Sequence, residues 1–368
     1  MVAMQLSEKI RLRELEIRNR IWLPPMCQYQ VRERDGMPGM WHAVHYGARA
    51  AGGFGLIIAE ASGVVPEGRI SPFCTGIWSD AHAKAWAPIV EFAHTMGAAM
   101  GIQLGHAGRK ASTYPMLPDN SGRGTIPVAE GGWETRGPSA IAADGQATPR
   151  AMTLEEVRAV PGQFADAACH AVNAGFDCVE IHGAHGYLLH QFLSPMSNTR
   201  EDEYGGDFHG RTRLLLEVVE AVRAAIPEGM PLLVRLSATD WVEPEGWRAE
   251  DSERLAPLLR DAGVDLIDVS TGGNVRADIP VGPGYQVDFA RRVREASGLP
   301  TAAVGMILSS EQAQQVLDDS AADAVLIGRP ALRDAEWALD ALEKLGVPEA
   351  ALPWPESYFR GWAGAPRG

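Results

Sequence analysis

One stretch decides the fold of this chain: residues 178–195, which read CVEIHGAHGYLLHQFLSP. Its first four residues are mostly apolar and include β-branched valine and isoleucine, which is typical of a buried parallel strand. His182, His185 and Tyr187 follow where that strand should end. In a (β/α)8 barrel the carboxyl ends of the strands face the active site. If the strand belongs to such a barrel, the three side chains converge on one pocket.

Eight short apolar runs follow one another along the chain, and helical patterns separate most of them. Helical spacing of apolar residues marks 154–174, 250–262 and 310–318, and Thr153 with Glu156 forms a capping-box pattern before the first of these. Eight strand–helix units predict an α/β fold, a (β/α)8 TIM barrel rather than an open doubly wound sheet. The apolar runs span residues 21–26, 56–61, 99–104, 177–182, 231–237, 265–270, 300–305 and 323–328.

We expect a single TIM-barrel domain over residues 1–368. One connection, 106–152, is much longer than the rest, is rich in Gly, Pro, Ser and Thr, and shows no sustained periodicity. Long loops of this kind are usually functional or disordered. Because it follows the third strand, this insertion is expected to cover the barrel mouth as a lid. The tail, 352–368, is dense in aromatic residues, which indicates docking against another surface, such as a second subunit.

Composition narrows the classes of partner and the compartment. The chain has 368 residues and a formal net charge of −14, which disfavours nucleic acid and anionic membranes. It starts without the apolar core of a signal peptide, and no uncharged apolar run is long enough to span a bilayer. Cys27, Cys74, Cys169 and Cys178 lie far apart without a C-x-x-C motif, which fits reduced thiols in a cytoplasmic protein.

A charged residue interrupts the fifth apolar run. Arg235 cannot stay buried there without an anionic or hydrogen-bonding partner. That partner is either a bound ligand or a core acid such as Glu180 or Asp268, and the sequence leaves both readings open.

Glycines end the seventh and eighth runs. Gly305 and Gly328 fit the usual phosphate site of the barrel, where backbone N–H groups approach an anion closely. Arg329 could add a bidentate contact to the phosphate. Plain turn chemistry is the alternative explanation for both glycines.

Several motifs occur in one order along nearly the whole chain. They are PPMCQY at 24–29, HAGRK at 106–110, HGAHGYL at 182–188, NTREDEYGG at 198–206 and YFRGW at 358–362. With these motifs the chain resembles the Old Yellow Enzyme family of FMN-dependent ene-reductases, in its thermophilic-like branch. The resemblance implies that NAD(P)H reduces FMN, which then passes a hydride to the Cβ of an activated alkene. The alkene would be an α,β-unsaturated ketone or aldehyde, a maleimide or a nitroalkene.

The resemblance also implies cofactor contacts. Arg235 would lie near N1 and the C2 carbonyl of the flavin, where reduced flavin carries negative charge. Cys27 would lie near N5 and tune the redox potential. The full set of implied FMN contacts is Pro25, Met26, Cys27, Ala61, Gln103, His182, Arg235, Gly305, Gly328 and Arg329.

Substrate contacts follow in the same way. His182 and His185 would donate hydrogen bonds to the substrate carbonyl, and Tyr187 would protonate Cα. Arg360 resembles a residue that enters a neighbouring subunit's active site in this branch, so a homodimer or homotetramer is expected. The implied catalytic residues are Tyr187, His182, His185, Cys27 and Tyr29, and the implied substrate contacts are Tyr29, Lys110, His182, His185, Tyr187 and Arg360.

Other readings of the same residues remain. The two histidines could bind a metal, but zinc usually takes three or four protein ligands, and no metal is expected. A flavin-free phosphate-binding barrel, such as a Schiff-base aldolase, is the main alternative enzyme. The lysine positions argue against it, because none of the four lysines falls inside a predicted strand. A non-catalytic binding protein is the third class, and it would need no proton donors around one pocket.

Overall fold

The computed structural model describes residues 4–118 and 122–361. Its strands, numbered along the chain, are β1 Ile10–Leu12, β2 Leu15–Ile17, β3 Ile21–Leu23, β4 Leu56–Gly63, β5 Ala99–Gly105, β6 Arg136–Gly137, β7 Arg150–Ala151, β8 Cys178–Gly183, β9 Leu232–Ser237, β10 Leu266–Ser270, β11 Thr301–Ala303 and β12 Ala324–Leu326. Its α-helices are α1 Met40–Ala51, α2 Asp80–Thr95, α3 Leu154–Ala174, α4 Leu188–Leu193, α5 Phe208–Ala225, α6 Ala249–Asp261, α7 Val287–Ser297, α8 Ser310–Asp318, α9 Arg329–Arg333 and α10 Trp337–Lys344.

Eight of these strands form a closed parallel barrel in the order β3-β4-β5-β8-β9-β10-β11-β12, and β12 pairs back to β3. Each predicted apolar run overlaps one barrel strand, although β4, β5 and β8 extend one or two residues beyond their runs, so the predicted TIM barrel is confirmed. The strands are near-continuous apolar runs because the barrel interior buries one face and the surrounding helices bury the other. The predicted helices 154–174 and 310–318 coincide with α3 and α8. Thr153 accepts a hydrogen bond from the Glu156 amide, which confirms the capping box.

A short hairpin covers the amino-terminal end of the barrel, and no pattern in the sequence predicted it. Strands β1 and β2 pair antiparallel, and Arg13 takes a positive φ of 49° in the turn between them. Three-residue strands carry too little periodicity to stand out in a sequence. The hairpin side chains Ile10, Leu12 and Ile17 pack with residues at the amino ends of the barrel strands, including Trp22 and Leu56. The hairpin therefore covers the amino-terminal end of the barrel, and the open end is the one formed by the carboxyl ends of the strands.

The insertion 106–152 follows β5 and is tied to the barrel rim at several points. Strands β6 and β7 form a small parallel pair. The Trp133 indole donates to the Glu67 carbonyl at 2.8 Å, and Arg109 Nη2 donates to the Asn274 carbonyl at 2.8 Å. These contacts hold much of the insertion against the loops that follow β4 and β10.

The described part of the tail packs in part against the barrel. Leu352 is buried, and Trp354 packs against the main core. Tyr358 and Phe359 are 53% and 43% exposed. The rest of the predicted tail, 362–368, lies outside the described residues. Across 4–118 and 122–361, we find no helix with the length and apolar character needed to cross a membrane.

Candidate active site

The carboxyl ends of the barrel strands bring the predicted polar residues to one rim. In the register of the sheet, His182 on β8 pairs with Arg235 on β9, and Arg235 pairs with Asp268 on β10. Side chains at paired positions of neighbouring strands lie on the same face of the sheet. All three side chains are buried. The barrel therefore collects ionisable groups that lie far apart in the sequence.

A cavity of about 200 Å³ opens beside Arg235 and is called the Arg235 cavity below. Six of the residues predicted to contact FMN line it, although they come from four different strand ends: Pro25, Met26, Arg235, Gly305, Gly328 and Arg329. Ala61 and His182 instead line a narrow cleft with Tyr187. Gln103 is buried, and its amide nitrogen donates to Glu180 at 2.8 Å.

Arg235 has a core partner as well as a face on the cavity. Its Nε lies 3.1 Å from Asp268 Oδ2, although the two groups are not aligned as a hydrogen bond. This contact agrees with the core-acid reading of Arg235. Within residues 4–118 and 122–361, however, Nη1 and Nη2 of Arg235 make no hydrogen bond. The outer end of the guanidinium is therefore free to meet an anion or carbonyl in the cavity.

Two neighbouring carboxyl groups set the charge around Arg235. Burial, and then the charge of Asp268, raises the pKa of Glu180 well above its usual range. Burial also raises the pKa of Asp268, while Arg235 opposes that rise. Two carboxylates this close cannot both ionise easily. Of the two carboxyl groups, Asp268 is the one that contacts Arg235 and so provides its counter-charge.

The backbone of the Arg235 cavity explains one of its two glycines. Gly305 has a φ of +125°, and a Cβ there would lie 3.0 Å from Gln286 side-chain atoms. Only glycine accepts this conformation without strain. A Cβ on Gly328 would make ordinary contacts at 3.7 Å. Backbone geometry thus requires glycine at 305, whereas at 328 the requirement depends on how closely a ligand approaches.

His182, His185 and Tyr187 meet directly after β8. The ring centroids of His182 and His185 are 5.2 Å apart, and those of His182 and Tyr187 are 4.9 Å apart. His185 has a positive φ of 58°, and its amide donates to Ser237 Oγ at 2.9 Å. This anchored turn places all three rings together, as the sequence predicted.

The hydrogen bonds of the two histidines determine which ring nitrogens are available. The Ala184 amide lies 3.4 Å from His182 Nδ1 and donates to it, so Nε2 carries the proton of a neutral ring. His185 Nε2 lies 2.8 Å from Ser270 Oγ. Burial, followed by the charge of Arg235, lowers the pKa of both histidines well below the usual value. Both imidazoles are therefore neutral at physiological pH, and each has one N–H. His182 carries its proton on Nε2, whereas His185 has an N–H for a ligand, on Nδ1, only when Ser270 donates to its Nε2.

Tyr187 keeps its proton in this setting. Burial, and then the neighbouring Cys27 and Cys74, raises the pKa of the phenol well above its usual value. Burial likewise raises the pKa of Tyr29, which sits at a positive φ of 53°. Cys27 is half-buried and packs in the same apolar cluster as both tyrosines. Two protonated phenols and a thiol therefore share one wall of the site.

A larger cavity of about 500 Å³, the mouth cavity, lies between Tyr29, Tyr187, Lys110 and the insertion. Lys110 Nζ donates to the carbonyls of His185 and Gly273, each at 2.8 Å. Burial, with a smaller effect from Arg109, lowers the pKa of Lys110 to about 8. An amine already held by two carbonyls is poorly placed to form an imine, which argues against the aldolase reading.

Arg360 is the predicted site residue that the structure keeps apart from the others. It lies in the 3-10 turn Glu356–Gly361, and its guanidinium is 5.5 Å from the centre of the Phe359 ring. It lines a shallow surface cavity with Trp354 and Tyr358, but neither the mouth cavity nor the Arg235 cavity. Within one chain, Arg360 does not reach the site.

Ser270, His190 and Asp240 support the site residues, although no motif in the sequence marks them. Ser270 Oγ lies 2.8 Å from His185 Nε2 and 3.3 Å from Gln286 Oε1, and its single proton can go to only one of the two. His190 Nδ1 accepts a hydrogen bond from the Gly186 amide at 2.9 Å, and His190 Nε2 lies 3.1 Å from the buried Asp240. Each of these polar residues lies within an apolar segment, which indicates a buried hydrogen-bonding role. Their partners could not be predicted because they are remote in sequence.

Comparison with known proteins decides the family. The sequence pattern of the NADH:flavin oxidoreductase / NADH oxidase family matches residues 5–346. The chain belongs to this family. An NADPH dehydrogenase of Bacillus subtilis is 43% identical over 362 residues, which cover 98% of this chain and all of the relative. An NADPH dehydrogenase of Geobacillus thermodenitrificans is 44% identical over 95% of this chain and 96% of its own length.

Solved structures agree with the sequence relatives. The Old Yellow Enzyme homologue of Zymomonas mobilis superposes with a TM-score of 0.77 at 30% identity, over 99% of both chains. Morphinone reductase superposes with a TM-score of 0.77 at 28% identity, over 98% of this chain and 96% of that one. The chain is therefore an FMN- and NAD(P)H-dependent oxidoreductase of the Old Yellow Enzyme family, the ene-reductase family predicted from its motifs. The flavin-free aldolase alternative finds no support in these matches.

The residues present fit FMN. The buried Arg235 lines the cavity and supplies a positive charge there, which suits the electron-rich side of a flavin ring. The backbone at Gly305 lacks the side chain that would crowd a phosphate. Arg329 lines the same cavity and supplies a second positive charge. The lining of the cavity thus combines two cations, Arg235 and Arg329, with open backbone at Gly305, which suits the two polar parts of the cofactor.

Proposed function

We propose that this oxidoreductase reduces the C=C bond of α,β-unsaturated ketones and aldehydes, maleimides and nitroalkenes, with NAD(P)H and the alkene using one site in turn. The observation that carries the proposal is the cluster of His182, His185 and Tyr187, three proton-bearing rings gathered at the strand end beside Arg235. A bound FMN would supply the hydride chemistry that couples oxidation of NAD(P)H to reduction of the alkene at Cβ.

Arg235 and the strand-end glycines would hold the cofactor. Arg235 would lie along N1 and the C2 carbonyl of the flavin, while Gly305 and Arg329 would hold the phosphate. Asp268 is the carboxylate in contact with Arg235, and the Nη1 and Nη2 groups of Arg235 would direct part of its positive field to the cavity. That field favours negative charge at the facing edge of a bound ring.

The histidines would orient the substrate and stabilise the charge that develops on its oxygen. Two neutral imidazole N–H groups aimed at one carbonyl or nitro oxygen become stronger donors as that oxygen turns anionic. Neutral rings suit this role because they donate a hydrogen bond without competing for the proton that Cα needs. Tyr29 would help to hold the same group from the mouth cavity.

Tyr187 would supply the proton to Cα. Its phenol remains protonated at neutral pH because burial raises its pKa, so a donor is present whenever a substrate binds. The ammonium of Lys110 lies 5.0 Å from the centre of the Tyr187 ring. A nearby cation stabilises the phenolate that remains after proton transfer and so eases the step.

The proposal extends to the insertion, the tail and the location of the enzyme in the cell. The insertion 106–152 lines the mouth cavity and would act as a lid that limits access of water. Arg360 would complete the site of a neighbouring subunit in a homodimer or homotetramer, since it does not reach its own. All four cysteines are unpaired, which supports a cytoplasmic location.

An absorbance scan followed by turnover assays tests the proposal. The purified enzyme should carry bound flavin, and NADPH oxidation should be stimulated by cyclohexenone, N-substituted maleimides and nitroalkenes. Enzyme that binds FMN and oxidises NADPH with oxygen alone, and with none of these alkenes, would refute the proposed substrate class.

A further inference from the structure

Three side chains that can ligate a metal lie together just behind the mouth of the barrel. Cys27 follows β3, Glu60 lies within β4, and Cys74 lies in the loop between β4 and α2. One ligand atom from each, two sulfurs and a carboxylate oxygen, lies within 4.8 Å of the other two. We call this set the Cys27–Glu60–Cys74 cluster.

The spacing suits a tetrahedral soft cation. With zinc–sulfur bonds of about 2.3 Å, two sulfurs of a tetrahedral site are about 3.8 Å apart. Ligand atoms already within 4.8 Å of one another therefore need to move by no more than about 1 Å. Rotation of the cysteine side chains covers such a distance without backbone movement.

Hydrogen bonds fix the position of Glu60 in the cluster, and Cys27 is accessible to solvent. Glu60 is fully buried, and its Oε2 accepts a hydrogen bond from the Gln28 amide at 2.9 Å. The Tyr46 hydroxyl donates to Glu60 Oε1 at 3.4 Å, and His42 Nε2 lies 3.3 Å from the same oxygen. Cys74 is also fully buried, whereas Cys27 is half-buried. A small ion would therefore reach the cluster past Cys27.

The electrostatics of the cluster favour a cation over three separate anions. Two thiolate sulfurs and a carboxylate oxygen would surround a cation at the centre of the cluster. Thiolates are the ligands that soft metals prefer, so the ligand types fit a soft divalent cation.

We propose that Cys27, Glu60 and Cys74 form a binding site for a thiophilic divalent cation such as Zn²⁺ or Cd²⁺, and that its occupancy inhibits the enzyme. On binding, the two thiols lose their protons to solvent and form two metal–sulfur bonds, while the carboxylate adds a metal–oxygen bond. No electron is transferred. The inhibition rests on the proposed function, because Cys27 is the residue predicted to lie against the flavin, but the binding site does not.

Cadmium titration of the FMN-loaded full-length enzyme tests the site, with all thiols kept reduced by a phosphine. The thiolate-to-cadmium charge-transfer band in the ultraviolet reports binding directly. Native enzyme should bind one cadmium ion per chain. Cys74→Ala and the closer isostere Cys74→Ser should each weaken binding at least about 10-fold, because outer-shell changes alone cost about 10- to 100-fold at metal sites. The matched control is Cys169→Ala, which removes the exposed, isolated cysteine.

The proposed site would be refuted if both Cys74 variants bound cadmium with native affinity. It would also be refuted if Cys169→Ala lost as much cadmium affinity as the Cys74 variants. Glu60→Gln, which keeps the side-chain shape, should also weaken binding, and unchanged affinity in it would remove Glu60 from the ligand set. The inhibition is read separately as the ratio of NADPH oxidation with and without cadmium. Cadmium binding in an enzyme that reduces no alkene would leave the site standing and refute the proposed function instead.

Discussion

Replacing both His182 and His185 by alanine should weaken the binding of a phenolate ligand by about 10²- to 10⁴-fold while the enzyme stays folded and retains FMN. A hydrogen bond to a charged group contributes about 1.5–3 kcal/mol. The structure offers one N–H donor on each neutral ring, so the pair contributes about 3–6 kcal/mol, and about 1.4 kcal/mol corresponds to one factor of ten. Most of the predicted FMN contacts, including Arg235, Gly305 and Arg329, are untouched by the change.

The assay is a titration of the FMN-loaded enzyme with a para-substituted phenol, followed by the change in flavin absorbance. His209→Ala is the matched control, because His209 lies exposed on α5 and should leave the affinity unchanged. Since burial keeps both active-site imidazoles neutral, their titration should add no inflection near neutral pH to the pH dependence of phenol binding. Native-like affinity in the double variant would refute the assigned role of the histidines.

Four further changes test the other parts of the site. Tyr187→Phe should lower the rate of alkene reduction by about 10²- to 10⁴-fold, the usual contribution of positioned proton transfer, while flavin reduction by NADPH is unchanged; a stopped-flow rate within about 10-fold of native would mean that water protonates Cα. Cys27→Ala should shift the flavin midpoint potential with the fold intact, and an unchanged midpoint potential would show that Cys27 does not tune it. The Lys110 ammonium loses its charge as pH rises through about 8, so the KM of the native enzyme for the anionic NADPH should rise above that pH. Lys110→Met should have a raised KM at all pH values and no inflection near pH 8. Parallel pH profiles of KM in the two enzymes would show that Lys110 does not contribute to NADPH binding. Gly305→Ala forces a side chain into a positive φ at a cost of about 1–3 kcal/mol and should weaken FMN binding in a fluorescence titration, whereas equal affinity would show that the cavity backbone can adjust.

The order of the barrel strands and the cluster at 182–187 could be predicted because they rest on local signals. Apolar runs at regular intervals indicate parallel strands buried on both faces. Polar residues at a strand end face the site in any barrel. Gly305 was also a candidate because it ends the seventh apolar run, although its requirement for glycine depends on a positive φ that the structure reveals.

Other features of the site depend on partners that the sequence keeps far apart. Arg235 could have met either a ligand or a core acid, and the structure shows both a contact with Asp268 and unbonded nitrogens facing a cavity. Cys74 carried no motif at all, and only the return of its loop toward β4 brings it to Cys27. Arg360 matched a motif, but the fold places it outside the site of its own chain.

The sequence by itself determined the barrel, the family and the identity of the reactive groups, because periodicity, strand ends and motifs are encoded by residues close together along the chain. Only the tertiary structure decided the charge states and the neighbours of those groups. A pKa or a metal-binding distance depends on burial and on side chains from other strands, and closing the barrel brings those side chains within a few ångströms of one another.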